Sequence, residues 1–237
     1  MTSWFEARPR VKCLVLCAGR GARVFPYSLE RPKVLLEVGG RPILAYVIDY
    51  WRQYTDDFVF VVGYKKEQVI EFAGRLPIKA QFAEQAELKG IAHAIGCARE
   101  MLPGRFVVAL GDCLCRGTFD FPPDMVQGVG VWPTENVAAI RLSYSVEIKD
   151  SLIHRVEEKP QRVPNNLCGL GYYFFDQRLF DYIREARPSA LRNEIEITDV
   201  LQDMIDGREK LAPVFFRGDY LNVTSPDDLP RAARLMA

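Results

Sequence analysis

Several short groups of residues in this chain have the types and spacing to handle phosphate. Leu16-Cys17-Ala18-Gly19-Arg20-Gly21-Ala22-Arg23 is a run of small residues that ends in a cation, and Pro32-Lys33-Val34-Leu35-Leu36 supplies a second cation. Small residues let backbone N–H groups approach a phosphate closely, and Arg23 and Lys33 would neutralise its charge. Two nucleotide loops are excluded. A G-x-G-x-x-G pattern from Gly19 requires glycine at position 24, where Val24 stands, and no Gly-Lys-Ser/Thr of a Walker loop occurs. A plain surface turn is the other reading of this loop.

Further along, Glu84-Gln85 precedes Gly90 and His93-Ala94. A glutamine side chain has one acceptor and two donors, enough to read a base edge, and a glycine permits a base to lie on the backbone. A solvated loop glutamine is the alternative. Leu110-Gly111-Asp112 ends an apolar run in a carboxylate, placed either to hold a hard cation such as Mg²⁺ or to cap the next turn. Val156-Glu157-Glu158-Lys159-Pro160 suits a sugar hydroxyl and a phosphate, or an ordinary charged turn. Tyr220-Leu221-Asn222-Val223-Thr224-Ser225-Pro226-Asp227-Asp228-Leu229 sets a polar residue ahead of an N-capped helix.

These groups need a scaffold, and the apolar pattern supplies one. Val11–Cys17, Phe58–Val62, Ile78–Ala83 and Phe106–Leu110 read as strands, the first two as near-continuous runs buried on both faces. Between them, apolar residues at three-and-four spacing after Pro42, then Lys65–Gly74 with Val69, Ile70 and Ala73 inward, then Ile91–Met101, read as helices. That alternation predicts a parallel sheet covered on both sides. The second half reads as strands at Val126–Trp132, Ala138–Ile148, Ile153–Glu157, Gly171–Phe175 and Val214–Phe216. Helices are expected at Arg178–Ala186, Thr198–Ile205 and Asp227–Met236. With no linker or repeat, the expectation is one domain over 1–237, a nucleotide-binding half over about 11–115 and a second half over about 116–237 that completes the sheet.

Composition narrows the partners. The 237 residues carry 31 Lys plus Arg against 31 Asp plus Glu, so no net field attracts a polyanion, and non-specific nucleic-acid binding is a poor reading. Hydrophobic residues at 49% exclude wholesale disorder, and no apolar run approaches the ~18–20 residues of a membrane span. Residues 1–10 lack the apolar core of an export signal, so a cytoplasmic protein is expected. The six cysteines contain no C-x-x-C pair and the two histidines lie far apart, which leaves core thiols rather than zinc; Cys13 and Cys17 share one face of the first strand.

Taken in order, the chemistry-bearing groups resemble the sugar-1-phosphate nucleotidyltransferases, the pyrophosphorylases that make nucleotide sugars. The resemblance runs from about Val11 to the C-terminus and is nearest to the glucose-1-phosphate thymidylyl- and uridylyltransferases. It rests on Gly19-Arg20-Gly21-Ala22-Arg23, Pro32-Lys33-Val34-Leu35, Gln85 to Gly90, Gly111-Asp112, Glu158-Lys159-Pro160 and Asn222 to Leu229. It implies a Rossmann-like three-layer α/β fold with a mixed, mainly parallel central sheet. It also implies transfer of a nucleotidyl group from a triphosphate, UTP or dTTP by the Gln85–Gly90 pair, to a sugar-1-phosphate.

By the same resemblance, Arg23 and Lys33 are the catalytic cations. Leu16, Ala18, Gly19, Gly21, Gln85 and Gly90 bind the nucleotide, Glu158 and Lys159 the sugar phosphate, and Asp112 and Asn222 hold Mg²⁺. Ala18 and Ile91 replace a common glycine and threonine, Ser143-Tyr144-Ser145 occupies the place of a sugar-binding glycine, and Asn222 replaces a common aspartate. Neither nucleic acid nor membrane is implied, and a homo-oligomer is compatible. Other readings stay open: guanylyl or cytidylyl transfer, a phosphocholine enzyme with Trp132, Tyr172, Tyr173 and Phe174 as a cation-binding box, or a non-catalytic subunit.

Overall fold

The computed structural model describes residues 3–6, 10–189 and 193–237. Half of the N-terminal stretch 1–10 read above for an export signal, residues 1–2 and 7–9, lies outside these. Along the chain the elements are β1 (Lys12–Leu16), β2 (Glu37–Val38), β3 (Arg41–Pro42), α1 (Ile43–Arg52), β4 (Asp57–Val62), α2 (Lys66–Gly74), β5 (Lys79–Glu84), α3 (Ile91–Cys97) and β6 (Phe106–Leu110). There follow β7 (Cys113–Asp120), β8 (Gln127–Pro133), α4 (Val137–Leu142), β9 (Tyr144–Lys149), β10 (Leu152–Glu158), β11 (Leu167–Phe175), α5 (Leu179–Glu185), α6 (Ile197–Asp206), β12 (Leu211–Asn222) and α7 (Asp228–Met236).

One sheet carries the molecule, in the order β5-β4-β1-β6-β11-β8-β12-β7, with β9 joined to β11 and β10 to β9. β5, β4, β1 and β6 are mutually parallel, as are β8 and β12; β11 and β7 run against their neighbours. The mixed, mainly parallel sheet read from the sequence is therefore present. Alternation along the strands sends Cys13, Val15, Val107 and Ala109 to one face and Leu14, Phe106 and Val108 to the other. The first face is covered by α1, α2 and α7, the second by α3, α5 and α6, giving three layers. Among the described residues no helix is long and apolar enough to cross a membrane.

The local expectations differ from the structure in a few places. Residues 138–148 are not one strand. Asn136 caps α4, its Oδ1 accepting from Ala139 N at 3.1 Å, and β9 starts only at Tyr144. Helix α3 ends at Cys97 and a 3-10 turn, Arg99–Met101, completes the segment. Ile70 faces outward and Cys97 is exposed, so neither belongs to the core; the other five cysteines are buried, Cys13 and Cys17 on the same face. β12 is far longer than Val214–Phe216 and pairs along its outer half with β7, a strand the sequence reading did not separate.

The topology builds a crevice. From β1 the chain adds β4 and β5 on one side and β6 on the other, so the direction of winding reverses beside β1. Ligands of open α/β sheets bind at such a switch point, outside the carboxyl ends of the strands. The loop after β1, Gln85 after β5, Gly111-Asp112 after β6 and Asn222 at the end of β12 all fall on that edge. The β9–β10 ribbon extends past it, and β10 returns Glu158 opposite Tyr144, which itself pairs Gly169 of β11.

Candidate active site

The loop after β1 is held from below by backbone contacts. Cys17 N donates to Val61 O at 2.8 Å, Tyr64 N to Ala18 O at 3.1 Å, and Gly111 N to Leu16 O at 3.0 Å. Gly21 has φ +63°, and a Cβ there would lie 2.9 Å from Lys33 Cβ. That close approach seats the 3-10 turn Lys33–Leu35 against the loop. The ammonium of Lys33 is ion-paired with the Asp112 carboxylate and donates to Val223 O at 3.1 Å. Both side chains are largely withdrawn from solvent, at 14% and 19% exposure. Three segments far apart in sequence thus meet at one ammonium.

Asp112 and Asn222 are neighbours across the β7–β12 ladder. Cys113 pairs with Asn222, and Val223 N donates to Asp112 O at 2.9 Å. Asn222 Oδ1 is buried with no hydrogen-bond partner among the described residues. A buried acceptor left unpaired is costly unless something else coordinates it. A carboxylate and an orphaned amide oxygen are hard-oxygen donors of the kind Mg²⁺ takes, with the Lys33 ammonium as the carboxylate's counter-ion. Among the described residues no cluster of three His, Cys, Asp or Glu is arranged for a metal, so the fit depends on this sparse pair. Cys17, beside Asp112, is a buried thiol whose pKa burial and that charge push up, so it stays neutral.

A cavity of about 370 Å³ opens from this point. Leu16, Ala18, Gly19, Gly21, Arg23, Lys33, Gln85, Gly90 and Asp112 all line it, so the structure brings together nine of the residues read from the sequence. On its wall, after β5 and so beyond β4 and β1 from Asp112, Gln85, 4% exposed, donates from Nε2 to Gly90 O at 3.1 Å and to His93 Nδ1 at 3.0 Å. Gly90 takes φ +99°, and a Cβ would stand 2.5 Å from Ile195 O. Its glycine is therefore required by the crossing backbone of residues 193–196, in addition to any base that lies near it.

Glu158, Lys159 and Asn222 are not on this wall. Lys159 adopts φ +46° and its N donates to Ser143 O at 2.8 Å, while Glu158 Oε2 accepts from Thr198 Oγ1 at 3.4 Å. Burial and then the Glu158 charge push the Tyr173 phenol up, with Glu196 contributing as well. Glu158 therefore flanks the same phenol as Glu196, which does line the cavity. The sequence reading missed Glu194 and Glu196. Two carboxylates two positions apart before the amphipathic Ile197–Asp206 segment were the available signal, and the contact that aims them is long-range: Ile195 N to Lys89 O at 2.8 Å and Ala92 N to Ile195 O at 3.2 Å.

The cation-binding box does not form. Tyr172, Tyr173 and Phe174 are buried at 2% exposure or less, and Tyr172 and Phe174 face the opposite side of the sheet from Tyr173. Trp132 is occupied with Gly218 O at 3.0 Å.

The fold and the crevice define a nucleotidyltransferase-type α/β domain, and comparison with known proteins refines this. A MobA-like NTP transferase domain matches residues 13–118, and a nucleotidyl transferase domain matches residues 135–237. The UTP–glucose-1-phosphate uridylyltransferase AglF of Haloferax volcanii is 30% identical over 237 residues, covering 94% of this chain and 95% of AglF. The bifunctional protein GlmU of Methanococcus maripaludis is 31% identical over 221 residues, covering 91% of this chain and 52% of GlmU. The chain thus spans about half the length of the GlmU relatives it matches. Among solved structures, a candidate glucose-1-phosphate thymidylyltransferase of Bacillus anthracis superposes with a TM-score of 0.81 at 25% identity, over 95% of this chain and 94% of the other. The chain belongs to the sugar-1-phosphate nucleotidyltransferase family.

Proposed function

We propose that the protein transfers a nucleotidyl group from UTP or dTTP to a sugar-1-phosphate, releasing pyrophosphate. The observation that carries this reading is the Lys33–Asp112 ion pair on the wall of a cavity that Gln85 also lines. β4 and β1 lie between β6, which Asp112 follows, and β5, which Gln85 follows. A nucleoside triphosphate laid along it puts its phosphates on the cations and its base on the amide.

In the reaction, a sugar phosphate oxygen forms a bond to the α-phosphorus while the bond to the bridging oxygen breaks, and pyrophosphate leaves with that electron pair. A phosphate monoester is already ionised near pH 7, so no general base is required. Catalysis is then positioning and charge stabilisation. Arg23 holds the departing β- and γ-phosphates, and Lys33 moves from Asp112 to the α-phosphate as charge builds there. Lys159 orients the sugar phosphate, and Glu158 accepts from a sugar hydroxyl beside Glu196. Asp112 and Asn222 would hold Mg²⁺, which when bound neutralises phosphate charge.

A matrix of UTP, dTTP, CTP and GTP against glucose-1-phosphate and N-acetylglucosamine-1-phosphate, read as pyrophosphate release with Mg²⁺, tests this. Release with UTP or dTTP above CTP and GTP is expected. Background in every well would instead favour a non-catalytic nucleotide-binding role.

A further inference from the structure

Gln85 is a closely held polar side chain on the cavity wall. Its backbone N donates to Val62 O at 2.8 Å, and its amide nitrogen meets both Gly90 O and His93 Nδ1. The first contact settles which way the amide points, because a carbonyl oxygen can only accept. Nε2 therefore faces Gly90. The second contact then settles the histidine: an NH₂ group only donates, so Nδ1 accepts and the ring proton sits on Nε2. With both amide protons engaged inside the protein, Oε1 is what Gln85 has left for a ligand.

That changes what a glutamine can read. A free amide matches a donor edge or an acceptor edge by turning over, whereas this one offers an acceptor alone. Uracil and thymine present a ring N–H at N3, which an acceptor receives; cytosine presents a bare ring nitrogen there, which an acceptor repels. His93 does not itself line the cavity, and its hydrogen bond is to Gln85, so its effect passes through Gln85. We propose that His93 is a positioning residue that makes Gln85 an acceptor-only reader, and so sets the choice of a ring N–H base over cytosine. This rests on Gln85 reading the base, as proposed above.

Direct binding of UTP and of CTP, measured by calorimetry with Mg²⁺, tests it without any sugar phosphate. In His93→Phe the second amide proton is released, and the UTP-over-CTP preference should fall about 10-fold. Asn carries its oxygen where His carries Nδ1, so His93→Asn should restore the preference, whereas His93→Gln, whose amide reaches the Nε2 position, should not. Melting temperatures identify general loosening, which weakens UTP and CTP alike and leaves their ratio unchanged. An unchanged ratio in His93→Phe, where Gln85→Leu does alter it, overturns the role of His93 and leaves the base reading standing. A ratio that stays low in His93→Asn overturns it too. If Gln85→Leu leaves the ratio unchanged, the base reading falls and the role of His93 with it.

Discussion

Lys33 and Asp112, 79 positions apart, form an ion pair at the carboxyl edge of β6. In the free protein each satisfies the other's charge in a site with little water. The proposed reaction needs them apart, the ammonium on a phosphate and the carboxylate on a cation. Substrate phosphates and Mg²⁺ would then supply what each loses, so the two bind best together.

Removing Lys33 therefore has two opposite effects. Lys33→Ala should lower kcat by about 10²–10³, because a fixed cation at the α-phosphate acts mainly in the transition state. The same variant should bind Mn²⁺, as a stand-in for Mg²⁺, more tightly without nucleotide, since Asp112 has lost its counter-ion. Electron paramagnetic resonance of free Mn²⁺ reads the second effect independently of turnover. Full activity in the variant would make Lys33 a structural residue only.

Asn222 offers a cleaner separation of binding from stability. Its Oδ1 has no described hydrogen bond to lose, so Asn222→Ala should leave the melting temperature unchanged or slightly higher. The Mg²⁺ concentration for half-maximal rate should rise, and Asn222→Asp should lower it by adding a charge to the donor set. A melting-temperature loss with unchanged Mg²⁺ dependence would show a turn-forming role instead.

Much of this site was legible because its groups sit directly after apolar runs that could only be strands. Gly19, Gln85 and Asp112 follow β1, β5 and β6, and strand ends are where a parallel sheet opens. What escaped was decided at long range. Edge strand β7 exposes Arg116, Gly117 and Thr118, so no apolar alternation marks it, and only its pairing with Arg217, Gly218 and Asp219 makes either segment a strand. In 137–142 a single cap from Asn136 overrode a strand-like pattern. Glu194 and Glu196 are aimed by Ile195 docking on Lys89 and Ala92, a contact no local pattern encodes.

That docking yields a prediction at Gly90. An added Cβ meets the Ile195 backbone at 2.5 Å, on a residue whose φ of +99° already excludes most side chains. Gly90→Ala should destabilise the protein by about 1–3 kcal/mol. It should also raise KM for both substrates, because Gly90 O orients Gln85 while Ile195 lies between Glu194 and Glu196. Thermal melting and initial rates check both; a shift in neither would remove the crossing from the account.

Asp228 governs how the last loop responds to acid. Burial pushes its carboxyl up, but N–H and O–H groups of Thr224 and Ser225, at 2.9–3.1 Å, outweigh that and leave the pKa lowered. A carboxyl lowered by folding stabilises the protein above its unfolded pKa of about 4 and loses that contribution as pH falls below it. Asp228→Asn should cost about 2 kcal/mol at pH 7, roughly 4–8 °C in Tm. The gap to the unmodified protein should narrow below about pH 4. A gap that is constant with pH would mean that the charge is not what the loop uses.

The central claim is nucleotidyl transfer at the α-phosphorus, and the fate of labelled phosphate tests it most directly. With UTP labelled at the α-position, a sugar-1-phosphate and Mg²⁺, the label should appear in a nucleotide-sugar; with UTP labelled at the γ-position, it should appear in pyrophosphate. Lys33→Ala should slow both together. Label from the γ-position in a sugar bisphosphate or in free phosphate, with no α-labelled nucleotide-sugar, would contradict the account.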